Sequence, residues 1–524
     1  AETLFAMLRP SAYPAKAVEE AWNQVLLYSE HTWGAWCSVS EPQRKETLEQ
    51  WDIKRSYAEE ADRQSRDLLA ASLGGERVGS AAAAGTVDVF NTLSWPRTEL
   101  VTLSKARAND HSPLRVTDDA GRPVPSQRLT SGELVFLARD VPPFAARRYT
   151  VVSGAPHVEG RAIAEGATLD SGAIRLRLDE GTGGIVELTA SGLSGNFADI
   201  SEGEALNDYL YLIGDDPKDL KRNGPVTIRV GEKGPLVASL VIESAAPGCK
   251  RLVRELRVVA GCDHVELINT IDKERLQAKS YHAKEGKESV NFAFPFAVPD
   301  GEVLLDIPLG VMRPEIDQMP SACKNWFTVG RWADVSNAER GVTWVTLDAP
   351  LVQVGGITAT LLNSQTDPDV WRRHVEPTQK LYSWAMNNHW GTNYRAYQEG
   401  PTVFRFVLRP HRRRDPAEAS RFATGFSQPL LAVRAQGVPP AKSLLTVEPS
   451  ECLVTALKPS DDGRALIVRL FGATDRARSV NLKWGSVRPA AVYLSDTSER
   501  AGERVNGPID VPAWGLVTVR TEFN

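Results

Sequence analysis

The chain has 524 residues, with 61 Lys and Arg against 66 Asp and Glu and a formal net charge of -5. That length exceeds one hydrophobic core and predicts about three or four domains, and the near-balanced charge removes any electrostatic case for nucleic acid or an anionic membrane surface. No apolar run approaches the roughly 18 residues that a membrane helix needs, so the chain is expected to be soluble.

In chain order, the first residues, "AETLFAMLRPSAYP", lack an initiator Met, a basic leader and a signal-type apolar segment. They read as the interior of a longer protein, which leaves the compartment unspecified. Residues 14 to 73 hold the only extended helical periodicity. In "PAKAVEEAWNQVLLYSEHTW", Val18, Trp22, Val25 and Leu26 form one apolar stripe. Pro14 suits a first turn and Gly34 a C-terminal cap. A second helix is expected to start at "SEPQ", where Ser40 and Gln43 have capping-box spacing, and to run to Gly74. Both helices are expected to belong to a bundle whose other members lie outside this chain.

"GGERVGSAAAAGT" reads as a small-residue linker. Beyond it the texture becomes β. "VDVFNTLSWPRTELVTL" and "FAARRYTVV" are short alternating strands of a small domain. "VTIRV", "LVASLVIE", "HVELINTID", "VNFAFPF", "GVTWVTLD" and "TVFRFVL" then recur as strands of a large two-sheet sandwich. "GVPPAK" marks a boundary, and "RALIVRLFG", "SVNLKW", "AAVYLS" and "GLVTVR" build a last β-domain. The fold class is therefore mainly β: a helical bundle segment (1–75), a linker (76–86), a small β-domain (87–153), a large sandwich (154–436) and a C-terminal β-domain (437–524).

Five cysteines (Cys37, Cys249, Cys262, Cys323, Cys452) show no CxxC spacing, against a disulfide scaffold or a cysteine-built zinc site. At about 100° per residue, His31 falls about 220° from Val18, off the apolar stripe. Imidazole ligates zinc, and Glu30 is placed to fix its tautomer. A zinc site needs three or four ligands, however, and no HExxH or second local histidine is present, so on the residues alone a capping or surface histidine is the stronger reading. "YSWAMNNHWGTNYRAYQEG" gathers Asn387, Asn388, His389, Trp390, Asn393 and Tyr394. Amides pair with vicinal hydroxyls and rings cover the apolar face of a sugar, although Asn and Gly also serve plain turns. Glu315 and Asp317 are too close in sequence to stand opposed across a substrate, and "RPHRRRD" reads as a solvated turn or a salt-bridged edge.

Five ordered stretches carry a resemblance: "AWNQVLLYSEHTWGAW" with "QWDIKRSYAEEA", "VFNTLSWPRTELV", "VNFAFPF", "NNHWGTNYRAYQEGPTVFRF" and "LVTALKPSDDGRALIVRLF". Together they resemble the C-terminal portion of glycoside hydrolase family 38, the α-mannosidases, in its bacterial members. The resemblance implies a large sandwich of the galactose-mutarotase type and, upstream, an α/β domain that bears the catalytic carboxylates. It implies retaining hydrolysis of terminal α-mannosides, with two carboxylates about 5–5.5 Å apart and one zinc ion that holds sugar hydroxyls.

Carried over, His31 matches the helical-region zinc ligand, and Thr32 stands where a substrate-contacting aspartate is common. Asn387, Asn388, His389, Trp390, Asn393 and Tyr394 are expected to wall the sugar site. No catalytic carboxylate is expected in this chain, so by itself it should be inactive. The implied partners are an α-mannoside and the N-terminal domain, with a homo-oligomer also open. The rival reading is a non-catalytic carbohydrate-binding or assembly module, toward which Thr32 leans.

Overall fold

The computed structural model describes residues 1–31, 34–79, 85–104, 113–279, 284–359, 371–389, 393–485 and 487–523. It is mainly β, with short helical segments, and the pairings between its named strands are antiparallel. Two compact units emerge: Ala1–Leu27, Tyr57–Glu159 and Pro416–Asn524 form one, and Tyr28–Ser56 with Gly160–Asp415 the other.

In the first unit the strand Gly85–Asn91 lies between Ala145–Ser153 and Leu431–Arg434, with Val89 opposite Arg147 on one side and Ala432 on the other. Val87, Val89, Val116, Phe136 and Tyr149 fill the core of this layer, joined by Leu430 and Ala432 from far along the chain. The last β-part is a sandwich. One sheet holds Leu445–Glu448, Arg478–Trp484 and Ile509–Val511. The other holds Cys452–Pro459, Ala465–Gly472, Leu516–Glu522 and Ala491–Ser495. Leu466, Val468, Leu470, Val480, Val511 and Val519 bury the space between them.

The second unit contains the large sandwich, made of a six-stranded and a nine-stranded sheet. Its core is aromatic. Phe292 and Phe294, on the six-stranded sheet, meet Phe406 on the other at ring-centroid distances of 5.7 and 5.2 Å. Trp344 stacks on Phe406 at 5.5 Å. Such pairs add about 0.5–1.5 kcal/mol each beyond their buried area. Period-two alternation survives where one face meets solvent: in Ile174–Leu178 the apolar residues are buried and Arg175 and Arg177 exposed. The strand Glu288–Pro295 is instead buried throughout. Its polar residues are satisfied internally: Asn291 donates to Ser289 Oγ at 3.0 Å and accepts from Gln353 Nε2 at 3.1 Å.

The helices differ from the sequence reading in extent. The first regular turn of the second helix begins at Lys45, not Ser40, and the helix runs to Ser72. Residues 35–44 form consecutive turns because other partners satisfy their main chain: Ser38 N donates to Ala35 O, Glu41 N to Cys37 O, and Thr47 Oγ1 to Glu41 O. The first helix spans Ala15–Ser29, with Val18 buried and Trp22 and Leu26 exposed. Short helices at Glu2–Leu8 and Pro416–Ser427 lack the long periodic signal that marks a helix in sequence.

Candidate functional site

The site lies in the second unit. His31 follows the end of the helix Ala15–Ser29, and its side chain is 94% exposed. Its Nδ1 lies 3.2 Å from Glu30 Oε2, while Lys54, from the helix Lys45–Ser72, makes a close ion pair with the other Glu30 oxygen. Asn393 Nδ2 donates to the His31 carbonyl at 3.4 Å, across 362 positions of sequence.

Ser38 is the node behind this junction. Its hydroxyl donates to Asn393 O at 3.0 Å and accepts from Trp51 Nε1 at 2.9 Å and from Ala35 N at 3.0 Å. The approach is close enough to exclude a side chain at position 34. A Cβ on Gly34 would stand 2.3 Å from Asn393 O, with Ser38 Oγ and Trp51 Nε1 each at 3.1 Å. The rings continue the contact: Trp51 meets Tyr397 edge-on at 6.3 Å, and the Arg395 guanidinium lies 4.1 Å from the Tyr397 centroid.

Beside this junction a cavity of about 350 Å³ opens at the end of the strands Lys380–Asn387 and Glu288–Pro295. Asn387, Asn388, Tyr394 and Tyr397 line it, with Trp384 and a buried Lys273–Glu288 ion pair. The volume lies in the range of small-molecule sites, about 300–1,000 Å³. Lys273 Nζ and Glu288 Oε2 are 2.8 Å apart, and Tyr211 Oη donates to the same oxygen at 2.8 Å. Burial pushes the Glu288 carboxyl above its ordinary range, opposed by Lys273 and Tyr211.

Among the anticipated residues, Asn388 is held by the main chain. Its Oδ1 accepts from Glu288 N at 2.6 Å, and its Nδ2 donates to Gly286 O and Ala396 O at 2.7 and 3.0 Å. It thereby closes the stretch that carries Asn393 and Tyr394. His389 is fully buried, and neither ring nitrogen has a hydrogen-bond partner among the described residues. Burial first, and then the Lys287 charge, lower its pKa to about 4, so the ring is neutral at pH 7. Burial likewise lowers the Lys287 ammonium to about 8, and its Nζ donates to Asn388 O at 3.1 Å. Thr32 and Trp390 lie outside the described residues.

The structure thus brings His31 to Asn393, and places Asn387, Asn388 and Tyr394 around one cavity. Lys273, Glu288, Tyr211 and Trp384 were not singled out in the sequence, whereas Tyr397 belongs to the amide- and ring-rich stretch that was. A charged residue closing or opening an apolar strand, as in "HVELINTIDK" and "ESVNFAFP", was the available signal. Among the described residues no group of three or more His, Cys, Asp or Glu is placed to hold a metal ion. His31 and Glu30 offer one imidazole and one carboxylate that also serves Lys54. That donor set does not fit a complete zinc site, which needs three or four ligands.

Residues 452–523 match the family profile described as "Glycosyl hydrolases family 38 C-terminal beta sandwich domain". The whole chain superposes on an α-mannosidase from Enterococcus faecalis V583 with a TM-score of 0.74 and 14% identity, covering 99% of this chain and 65% of that one. A second Enterococcus faecalis structure, a protein in the glycosyl hydrolase family 38, aligns with a TM-score of 0.69 and 15% identity, covering 99% of this chain and 68% of that chain. A search of curated proteins finds no match. The superpositions establish the fold, and with the family profile they support a family 38 C-terminal portion. The chain spans about two thirds of the length of these structures.

Proposed function

We propose that this chain is the C-terminal portion of a family 38 glycoside hydrolase whose full-length form is a retaining, zinc-dependent α-mannosidase acting on terminal α-mannosides. In this reading the nucleophile and the acid/base carboxylate belong to an N-terminal α/β domain. His31 supplies one ligand to a single zinc ion, and Thr32 with the 387–394 stretch walls the sugar site. The observation that carries the reading is the junction in which Asn393 donates to the main-chain carbonyl of the helix-end His31, bringing that residue to the amide- and ring-rich stretch beside a saccharide-sized cavity. The family profile over residues 452–523 supports it independently.

The test compares this chain with its full-length parent on an aryl α-mannoside. The parent should hydrolyse it, lose activity to a chelator and regain it with zinc. The His31→Ala parent should bind zinc more weakly by at least about 10–100-fold. The chain alone should be inactive, and zinc-dependent turnover by the chain alone would refute the assignment of the chemistry to another domain. An inactive parent that still binds mannosides would establish the non-catalytic, carbohydrate-binding reading instead.

A further inference from the structure

A second cavity, of about 510 Å³, lies in the C-terminal sandwich of the first unit. It opens where the strand Arg478–Trp484 ends, where Ala491–Ser495 begins, and where residues 504–509 lead into Ile509–Val511. These strands belong to the two different sheets of the sandwich, so the cavity sits at their seam.

Its lining is chemically one-sided. Among the described residues it contains two arginines, Arg488 and Arg504, and no carboxylate. Both arginines are exposed, and neither forms an ion pair among the described residues. Several other cations of the same sandwich are paired, among them Arg478 with Glu451 at 3.3 Å, Lys483 with Glu448 at 2.5 Å and Arg520 with Asp462 at 2.8 Å, while Arg464 and Arg500 form no ion pair among the described residues. Two amides, Asn481 and Asn506, and the Trp484 indole complete the polar and aromatic lining. Trp484 is held edge-on against Phe523 at 5.1 Å, and its Nε1 is buried without a partner. The wall behind it is rigid: a Cβ on Gly485 would meet Ser443 O at 2.1 Å, and Gly485 N donates to Leu444 O at 2.9 Å.

We infer that this seam is a binding site for an acidic saccharide, a sugar bearing a carboxylate or a phosphate. Guanidinium groups bind both anions through paired N–H donors. Amides pair with hydroxyls, and an indole covers the apolar face of a pyranose ring. With no acidic side chain in the lining, the two positive charges have no internal competitor. The site shares no residue with the cavity beside His31, and its occupancy can be measured without any hydrolytic activity.

The experiment titrates the full chain, by calorimetry and tryptophan fluorescence, with glucuronate, mannose 6-phosphate, methyl α-mannoside and inorganic phosphate. One or both acidic sugars should bind, and methyl α-mannoside should bind on the order of tenfold more weakly or worse. Which acidic sugar binds tells carboxylate from phosphate. Binding should weaken as salt rises, and the R488Q/R504Q chain should lose it by at least about tenfold while unfolding at an unchanged temperature. Three results would overturn the proposal: equal binding of the neutral mannoside, inorganic phosphate binding as tightly as the sugar phosphate, or undiminished binding by R488Q/R504Q.

Discussion

His389 provides a quantitative test of how the loop beside the cavity is held. The ring is fully buried with both nitrogens unpartnered among the described residues, and its pKa falls from an ordinary 6.5 to about 4. Between those values the unfolded chain binds a proton that the folded chain does not, so stability falls as pH falls. Integrating the two titrations gives a loss of about 2 kcal/mol at pH 5 and about 3 kcal/mol at pH 4, relative to neutral pH. His389→Leu removes the titrating group and leaves no hydrogen bond broken, so at pH 7.5 it should change stability by less than about 1.5 kcal/mol. Urea unfolding followed by tryptophan fluorescence at pH 7.5, 6 and 5 measures both quantities. From pH 7.5 to 5 the wild type should lose about 2 kcal/mol more than His389→Leu. Hydrogen exchange across residues 384–398 assigns the difference to this segment. Parallel losses in the two proteins would mean that His389 takes up its proton near the ordinary pKa, and would refute the argument from burial.

Gly34→Ala forces a Cβ to within 2.3 Å of Asn393 O. It should cost about 1–3 kcal/mol and speed amide exchange in residues 393–397; unchanged exchange there would show that the Ser38 node does not anchor this stretch. Lys273→Met leaves the buried Glu288 with only Tyr211 beside it and should cost about 3–5 kcal/mol. The double substitution Lys273→Met with Glu288→Leu should recover most of that loss. A thermal unfolding series on the three variants checks this, and equal losses in single and double variants would contradict it.

Much of the architecture was legible because it rests on local chemistry. Alternation in "IRLRL" reports a strand with one wet face, and the i, i+3, i+4 recurrence of "AVEEAWNQVLLY" reports a helix, since each pattern follows directly from side-chain direction along the backbone. The residue types in 387–394 also indicated a polar, ring-bearing surface before any fold was known. Three features needed the tertiary structure. Leu431–Arg434 pairs with Gly85–Asn91 across most of the chain, and a strand's sequence does not name its partner. Helix Lys45–Ser72 starts late because Ser38 and Thr47 spend their hydroxyls on turns and on Asn393, a choice invisible to capping rules. The Lys273–Glu288–Tyr211 cluster exists because strands from separate parts of the chain bring these three side chains together, Lys273 and Glu288 at the edge of one cavity. Periodicity and residue type therefore determined the class of each element and the chemistry available. Long-range packing decided which of those groups meet, because contact across a sandwich depends on register and burial summed over the whole fold.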